Sequence, residues 1–398
     1  MWIAWAGFLA AVVVVIFGAR YHLPLALLSG TIVLALATLS SAELYEAFIN
    51  TVTSADTIIL ILALGIIPII GGILQVSGKL DDIIDNLRVG RRAFLGTTPA
   101  LIGLLPIPGG ALFSSPLVEK SAKDLEGHVK SGINVWFRHV LYFIYPISYA
   151  LIIPADLANL SIYKIIIFQF PLFLMTIVLG YFFLLRKVDG DMEYTSDIDL
   201  RALTPPLLVL ITAPVVHFVL TYTYDFQVAN ITVLIAVIFS LILSIFIIGD
   251  NKIGVIQESI SKMKPWNFMF LIFCLYFFIN VFLSSGIDTL IENLHLSDFV
   301  LIIVFGFFLG LATGRIILPA SIIIPIYMST SGLGSMPIIA FSMMYLSIFL
   351  GYVITPVHPC ISISLEYFNG GMHRFLKLMA PLIIISLAVA SVVFLLFV

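Results

Sequence analysis

The chain has 398 residues, of which 61% are apolar and only 10% charged, and its mean hydropathy is +1.16. A soluble fold of this size carries about 25% charged residues, so these values exclude one and indicate a chain made for a lipid bilayer. The formal net charge is only −3, and basic residues never cluster with aromatics, which leaves no nucleic-acid surface.

The first apolar run, 2–18, lacks the basic region that a signal peptide needs ahead of its core, and its first positive charge, Arg20, follows it. It therefore reads as a retained helix. Further spans are expected at 23–40, 57–76, 133–158 and 163–185, then at 205–222, 229–248, 266–284, 337–368 and 376–397. Amphipathic connectors at 42–53 and 254–264 link the second span to the third in each half. Between the third and fourth spans of each half lies an apolar segment broken by Gly and Pro, at 93–125 and 298–331. Each is too long for one helix and too short for two spans, so each reads as a re-entrant helical hairpin.

The two halves repeat each other. Leu80-Asp81-Asp82-Ile83-Ile84-Asp85-Asn86-Leu87 matches Ile287-Asp288-Thr289-Leu290-Ile291-Glu292-Asn293-Leu294, and each follows a Ser-Gly. Pro146 and Pro171 match Pro356 and Pro381 with the same spacing, and Asp156 and Asn159 match Glu366 and Asn369. Residues 1–200 and 201–398 are thus read as tandem copies. An odd number of crossings per copy makes them inverted repeats, a pattern of secondary transporters. With hairpins that return to their side of entry, nearly every Lys and Arg falls on one side and only Lys164 on the other. Arg138 lies near the basic side, and Arg315 falls inside the second hairpin. Lys/Arg bias marks the cytoplasmic face, so both termini are placed outside a cell membrane. The fold class expected is an all-α polytopic membrane protein. It has two inverted repeats, each of five transmembrane helices and one hairpin, with broken fourth helices at 133–158 and 337–368.

Candidate binding residues follow from the breaks. Gly109 and Gly110 allow close backbone approach at the first tip, and Ser114 and Ser115 offer hydroxyls just after it. Arg315, with Pro319 and Ser321 beyond it, offers a planar donor fork to an anion. Ser148, Thr355, His358 and Ser362 flank the two proline breaks and are candidates for coupling to H⁺ or Na⁺, His358 because it titrates near neutrality. Asp156 and Glu366 lie too far along their helices to be ligands, and Asn159 and Asn369 read as helix C-terminal caps. Cys274 and Cys360 have neither CxxC nor Cys/His spacing, which points away from a metal site or disulfide framework.

The arrangement resembles the ion-transporter superfamily, which includes citrate, dicarboxylate and gluconate permeases. The segment Pro106-Ile107-Pro108-Gly109-Gly110-Ala111-Leu112-Phe113-Ser114-Ser115-Pro116 is most similar to a prokaryotic ten-helix family of uncharacterised activity within it. That resemblance implies a homodimer and an elevator motion. The chain departs from the Ser-Asn-Thr tip signatures of dicarboxylate members, having Pro106 to Gly110 at one tip and Thr313-Gly314-Arg315 at the other. No HExxH, Gly-x-Ser-x-Gly or Walker A sequence is present, so no enzyme and no resident cofactor are expected. The expected function is secondary transport of a small anion, an organic acid, coupled to H⁺ or Na⁺. The alternative is an inorganic-ion antiporter or channel.

Overall fold

The computed structural model describes residues 2–19, 21–105, 110–192, 194, 197–228, 230–249, 251–287, 290 and 296–398. Arg20, the first tip at 106–109 with Gly109, and most of the repeated segment 287–294 lie outside the described residues. Those described are almost entirely helical, with no strand among them.

The elements are α1 Trp2–Gly18, α2 Leu23–Thr38, α3 Ser41–Thr53, α4 Ala55–Val76, α5 Lys79–Asp85, α6 Arg91–Gly103, α7 Gly110–Ser121 and α8 Gly127–Val140. A 3₁₀ turn, Leu141–Phe143, leads from α8 to α9 Tyr149–Leu157. There follow α10 Ile162–Gly180, α11 Leu200–Thr223, α12 Ile231–Phe246, α13 Lys252–Met263 and α14 Pro265–Ser284. The last elements are a π turn Val300–Phe305, α15 Gly306–Thr313, α16 Ile317–Ser331, α17 Ile338–Tyr352, α18 Pro359–Tyr367 and α19 Met372–Phe397. Five helical stretches, α4, α10 with the π turn that extends it, α11, α14 and α19, are long and apolar enough to cross a membrane. The protein is a multi-pass membrane protein.

Local chemistry sets several boundaries. Ser40 and Glu43 form a capping box at α3: the Ser40 N–H donates to Glu43 Oε2 at 2.7 Å, and the Glu43 N–H to Ser40 Oγ at 3.3 Å. Asp199 accepts from the Arg201 and Ala202 amides at the start of α11. Asn159 and Asn369 both stand at φ 53. Behind them the Leu160 N–H donates to the Ala155 carbonyl and the Gly370 N–H to the Leu365 carbonyl, the same Schellman closure after α9 and after α18. Both asparagines are therefore helix stops, as their sequence positions indicate.

The helices pack in two groups. One contains α1–α5 and α11–α14, through pairs such as α1 with α2, α11 with α12, α2 with α14, and α4 with α12. The other contains α6–α10 and α15–α19. Its pairs cross between the halves of the chain, α7 on α18 and α9 on α16, while α6 lies on α8 and α15 on α17. The second group holds the most buried helices. Every residue of α8 from Lys130 to Val140 is buried, as is α17 from Ala340 to Tyr352. Lys130 is neutralised at 2.7 Å by Glu119 of α7. The Asn134 amide donates to Ser115 Oγ at 3.1 Å and to Ser364 Oγ at 2.9 Å, which joins α7, α8 and α18. Trp136 and Phe143 pack edge-on against Phe349, and Tyr345 donates to the carbonyl of Tyr142 at 3.1 Å, holding the break after α8 against α17.

Candidate functional site

A cavity of about 290 Å³ opens where the second group meets the first. Leu23 of α2 and Phe268 and Leu271 of α14 form one wall. The other wall is built from helix beginnings: Gly110 opens α7, Tyr149 and Ala150 open α9, Ile317 opens α16, and Pro359 and Cys360 open α18. The residues just before the last three, Ser148, Ile316 and His358, give no side-chain cap to their helices. The first amides of a helix have no partner within it, and its N-terminal end carries about half a positive charge. Four such ends converge here.

Two guanidinium groups add to that charge. Arg138 of α8 is 4% exposed. Its Nη1 donates to the Gly110 carbonyl at 2.9 Å, and lies 3.5 Å from Ser114 Oγ. Arg315 lines the cavity from the turn between α15 and α16. Among the described residues neither forms an ion pair and no Asp or Glu lines the cavity. Burying an unopposed guanidinium, as at Arg138, is expensive.

Aromatic and imidazole rings form the floor. The His139 and His358 ring centroids are 5.0 Å apart, and Tyr352 lies 4.1 Å from His358. Tyr142 lies 5.3 Å from His139. His139 Nδ1 is 2.7 Å from the Val135 carbonyl. Both ring nitrogens of His358 are buried and make no hydrogen bond of ordinary geometry among the described residues.

Of the residues singled out in the sequence, Gly110, Arg315 and His358 line this cavity. Ser114 and Ser115 stand one turn behind Gly110. Ser115 Oγ donates to the Ala111 carbonyl at 2.6 Å, and Ser114 Oγ lies 3.4 Å from the Gly110 carbonyl. Ser148 and Thr355 are buried in the two breaks, outside the cavity lining. Thr355 Oγ1 accepts from the Val357 amide at 3.3 Å. Pro319 and Ser321 are buried within α16, where Ser321 Oγ donates to the Leu318 carbonyl at 2.8 Å, and Ser362 faces outward and donates to the Pro356 carbonyl. These three, like Ser114, Ser115, Ser148 and Thr355, are not among the lining residues.

Sequence reasoning did not single out Arg138, His139 or Cys360 as binding residues, and for Cys360 it pointed away from a metal site. It set Arg138 near the basic face, whereas the residue is buried in the cavity wall. A usable signal was present: Lys130, Arg138 and His139 on one short helix of so apolar a chain is a costly set, and such residues in membrane helices are functional by default.

Asp156, near the far end of α9, accepts from Asn230 Nδ2 of the α12 N-cap at 2.9 Å and from the Tyr276 hydroxyl of α14. It tethers the second group to the first, about 10 Å along α9 from the cavity. It borders another cavity of about 310 Å³ shared with Asn50, Asp56 and Asn280.

No curated protein matches the chain. Among solved structures it is similar to the YdaH transporter of Alcanivorax borkumensis, whose crystal structure is described as revealing an unusual topology. The TM-score is 0.55 at 15% identity, over 88% of this chain and 86% of that one, which is a likeness of fold. Residues 5–397 match the family model described as protein of unknown function DUF401, and with nearly the whole sequence inside that match, the chain belongs to this family.

Proposed function

We propose that the protein is a secondary transporter of a small organic anion, working by alternating access across its two packing groups. One observation carries the reading: the buried Arg138, the half-buried Arg315 and four helix N-termini line one cavity that no carboxylate lines among the described residues. Each helix end stabilises an anion by about 0.3–1 kcal/mol, and charged hydrogen bonds add about 1.5–3 kcal/mol each. A volume near 290 Å³ suits a solute of a few carbons plus water. The fold likeness to a transporter agrees with this reading.

The mechanism rests on inverted repeats with two opposed hairpins. It is supported by the cross-packing of α7 on α18 and α9 on α16, by the breaks after α8 and α17, and by the matched Asn159 and Asn369 stops. In this mechanism α6–α10 and α15–α19 carry the solute as a body past α1–α5 and α11–α14, and two chains associate as a homodimer in the cell membrane with both termini outside. Asp156 closes the boundary at one end while the cavity meets α2 and α14 at the other. His358, facing His139, Arg138, Arg315, Tyr352 and Cys360 in the cavity, carries the coupled proton.

Counterflow in proteoliposomes tests the reading. Vesicles loaded with an unlabelled carboxylate should accumulate the same labelled carboxylate, and Arg315→Gln should abolish this. Flux of inorganic cations with no carboxylate exchange across a panel of two- to six-carbon acids would overturn it.

A further inference from the structure

His139 of α8 and the His358-Pro359-Cys360 turn that opens α18 bring three metal-binding side chains together. One ligand atom from each lies within 4.8 Å of the other two. Two observations show that the set is prepared for a ligand. The Val135 carbonyl takes the Nδ1 proton of His139 at 2.7 Å, which fixes the ring and leaves the Nε2 lone pair free. His358 is 4% exposed, yet neither of its nitrogens makes a hydrogen bond of ordinary geometry among the described residues. A buried polar atom without a partner is costly, and metal coordination would satisfy it.

We propose that His139, His358 and Cys360 hold a thiophilic divalent metal ion of the zinc class, with its fourth position open to the cavity. Two imidazoles and a thiol with no carboxylate select zinc-like ions over calcium or magnesium. Tetrahedral zinc with bonds of about 2.0–2.3 Å needs ligand atoms about 3.3–3.7 Å apart, so the three need close by at most about 1.5 Å. Binding releases the thiol proton of Cys360 to cavity water and forms the sulfur–metal bond.

The nearby Arg138 and Arg315 oppose a bare dication. The thiolate cancels one charge, and an anion at the open position cancels another. Metal and anion therefore bind cooperatively, each tightening the other by the same factor. This second part rests on the anion reading of the cavity; the metal site itself does not.

The test uses the full-length protein in detergent, titrated with Cd²⁺, whose bond to a thiolate absorbs in the ultraviolet, followed by displacement with Zn²⁺. A single saturable band is expected. It should vanish in Cys360→Ser, weaken at least about tenfold in affinity in His139→Gln and in His358→Gln, and persist in Cys274→Ser. Cys274 is buried in α14 and serves as the thiol control. No band in the wild type while Cys360 titrates as a free thiol would overturn the site. So would an undiminished band in the double histidine variant, which would mean adventitious thiol binding. Acetate and succinate binding is then compared with and without Zn²⁺. Tighter binding with metal is expected, and weaker binding would overturn the cooperativity while leaving the metal site standing. Failure of the counterflow experiment would bear on the cooperativity alone and leave the Cd²⁺ titration untouched.

Discussion

Gly110→Ala probes the anion reading without removing a charge. A Cβ at Gly110 would stand 1.8 Å from Arg138 Nη2 and 2.7 Å from its Cζ, so the guanidinium must leave its seat. Its 2.9 Å bond to the Gly110 carbonyl goes with it. A hydrogen bond from a charged donor contributes about 1.5–3 kcal/mol. If the seated guanidinium is what meets the anion, affinity should fall by about 10- to 150-fold. The backbone itself should accept the change, since Ala is better than Gly in a helix by about 0.5–1 kcal/mol. The assay is the half-saturation concentration of counterflow in proteoliposomes, beside the melting temperature of the same preparation in detergent. Weaker binding with a melting temperature held within a few degrees is the expected pair. Unchanged affinity would refute the role of Arg138. Lost folded protein together with lost binding would instead make the guanidinium a structural clamp between α7 and α8.

Arg315→Lys keeps the charge but loses the planar fork, so carboxylate affinity should fall, and Arg315→Gln should nearly abolish uptake while the protein still folds. Normal uptake by the Gln variant would remove Arg315 from the site. In metal-free vesicles His358→Gln should leave counterflow intact and end uptake driven by a pH gradient; wild-type uptake that follows Na⁺ at constant pH would exclude the proton role. Asp156→Ala strands the Tyr276 hydroxyl and the Asn230 amide, at a cost of about 1–3 kcal/mol each, and should lower the melting temperature. An unchanged melting temperature would show that this tether is not stabilising. At Gly103 a Cβ would meet the Arg138 carbonyl oxygen at 1.8 Å, so Gly103→Ala should prise α6 from α8 and destabilise by at least about 1–3 kcal/mol. A stability gain would contradict that close approach.

What the sequence determined was local or compositional. The bilayer class follows from apolar content, since no soluble surface can be made from so few charges. The ends of the helices follow from neighbours within one turn. Pro146 and Pro356 lie in the breaks after α8 and α17, because a ring without an amide proton cannot continue the hydrogen-bond ladder. Asn159 and Asn369 stop their helices because a short amide side chain tolerates positive φ. Gly110, Arg315 and His358 were legible for the same reason: each stands at a point where the apolar helical pattern fails. Arg138 and His139 stand inside continuous helical pattern, and Cys360, though it opens α18 just past the break, is a lone thiol in apolar surroundings; their neighbours in the chain do not report what they face. Only the packing of α7 and α18 on α8 sets Arg138 against Gly110 and brings His139 to His358, more than half the chain away. Helix periodicity says which residues share a face. Which faces meet is decided by the close fit of whole helices, as when Gly110 leaves room for the Arg138 guanidinium, and that fit is a property of the assembled fold.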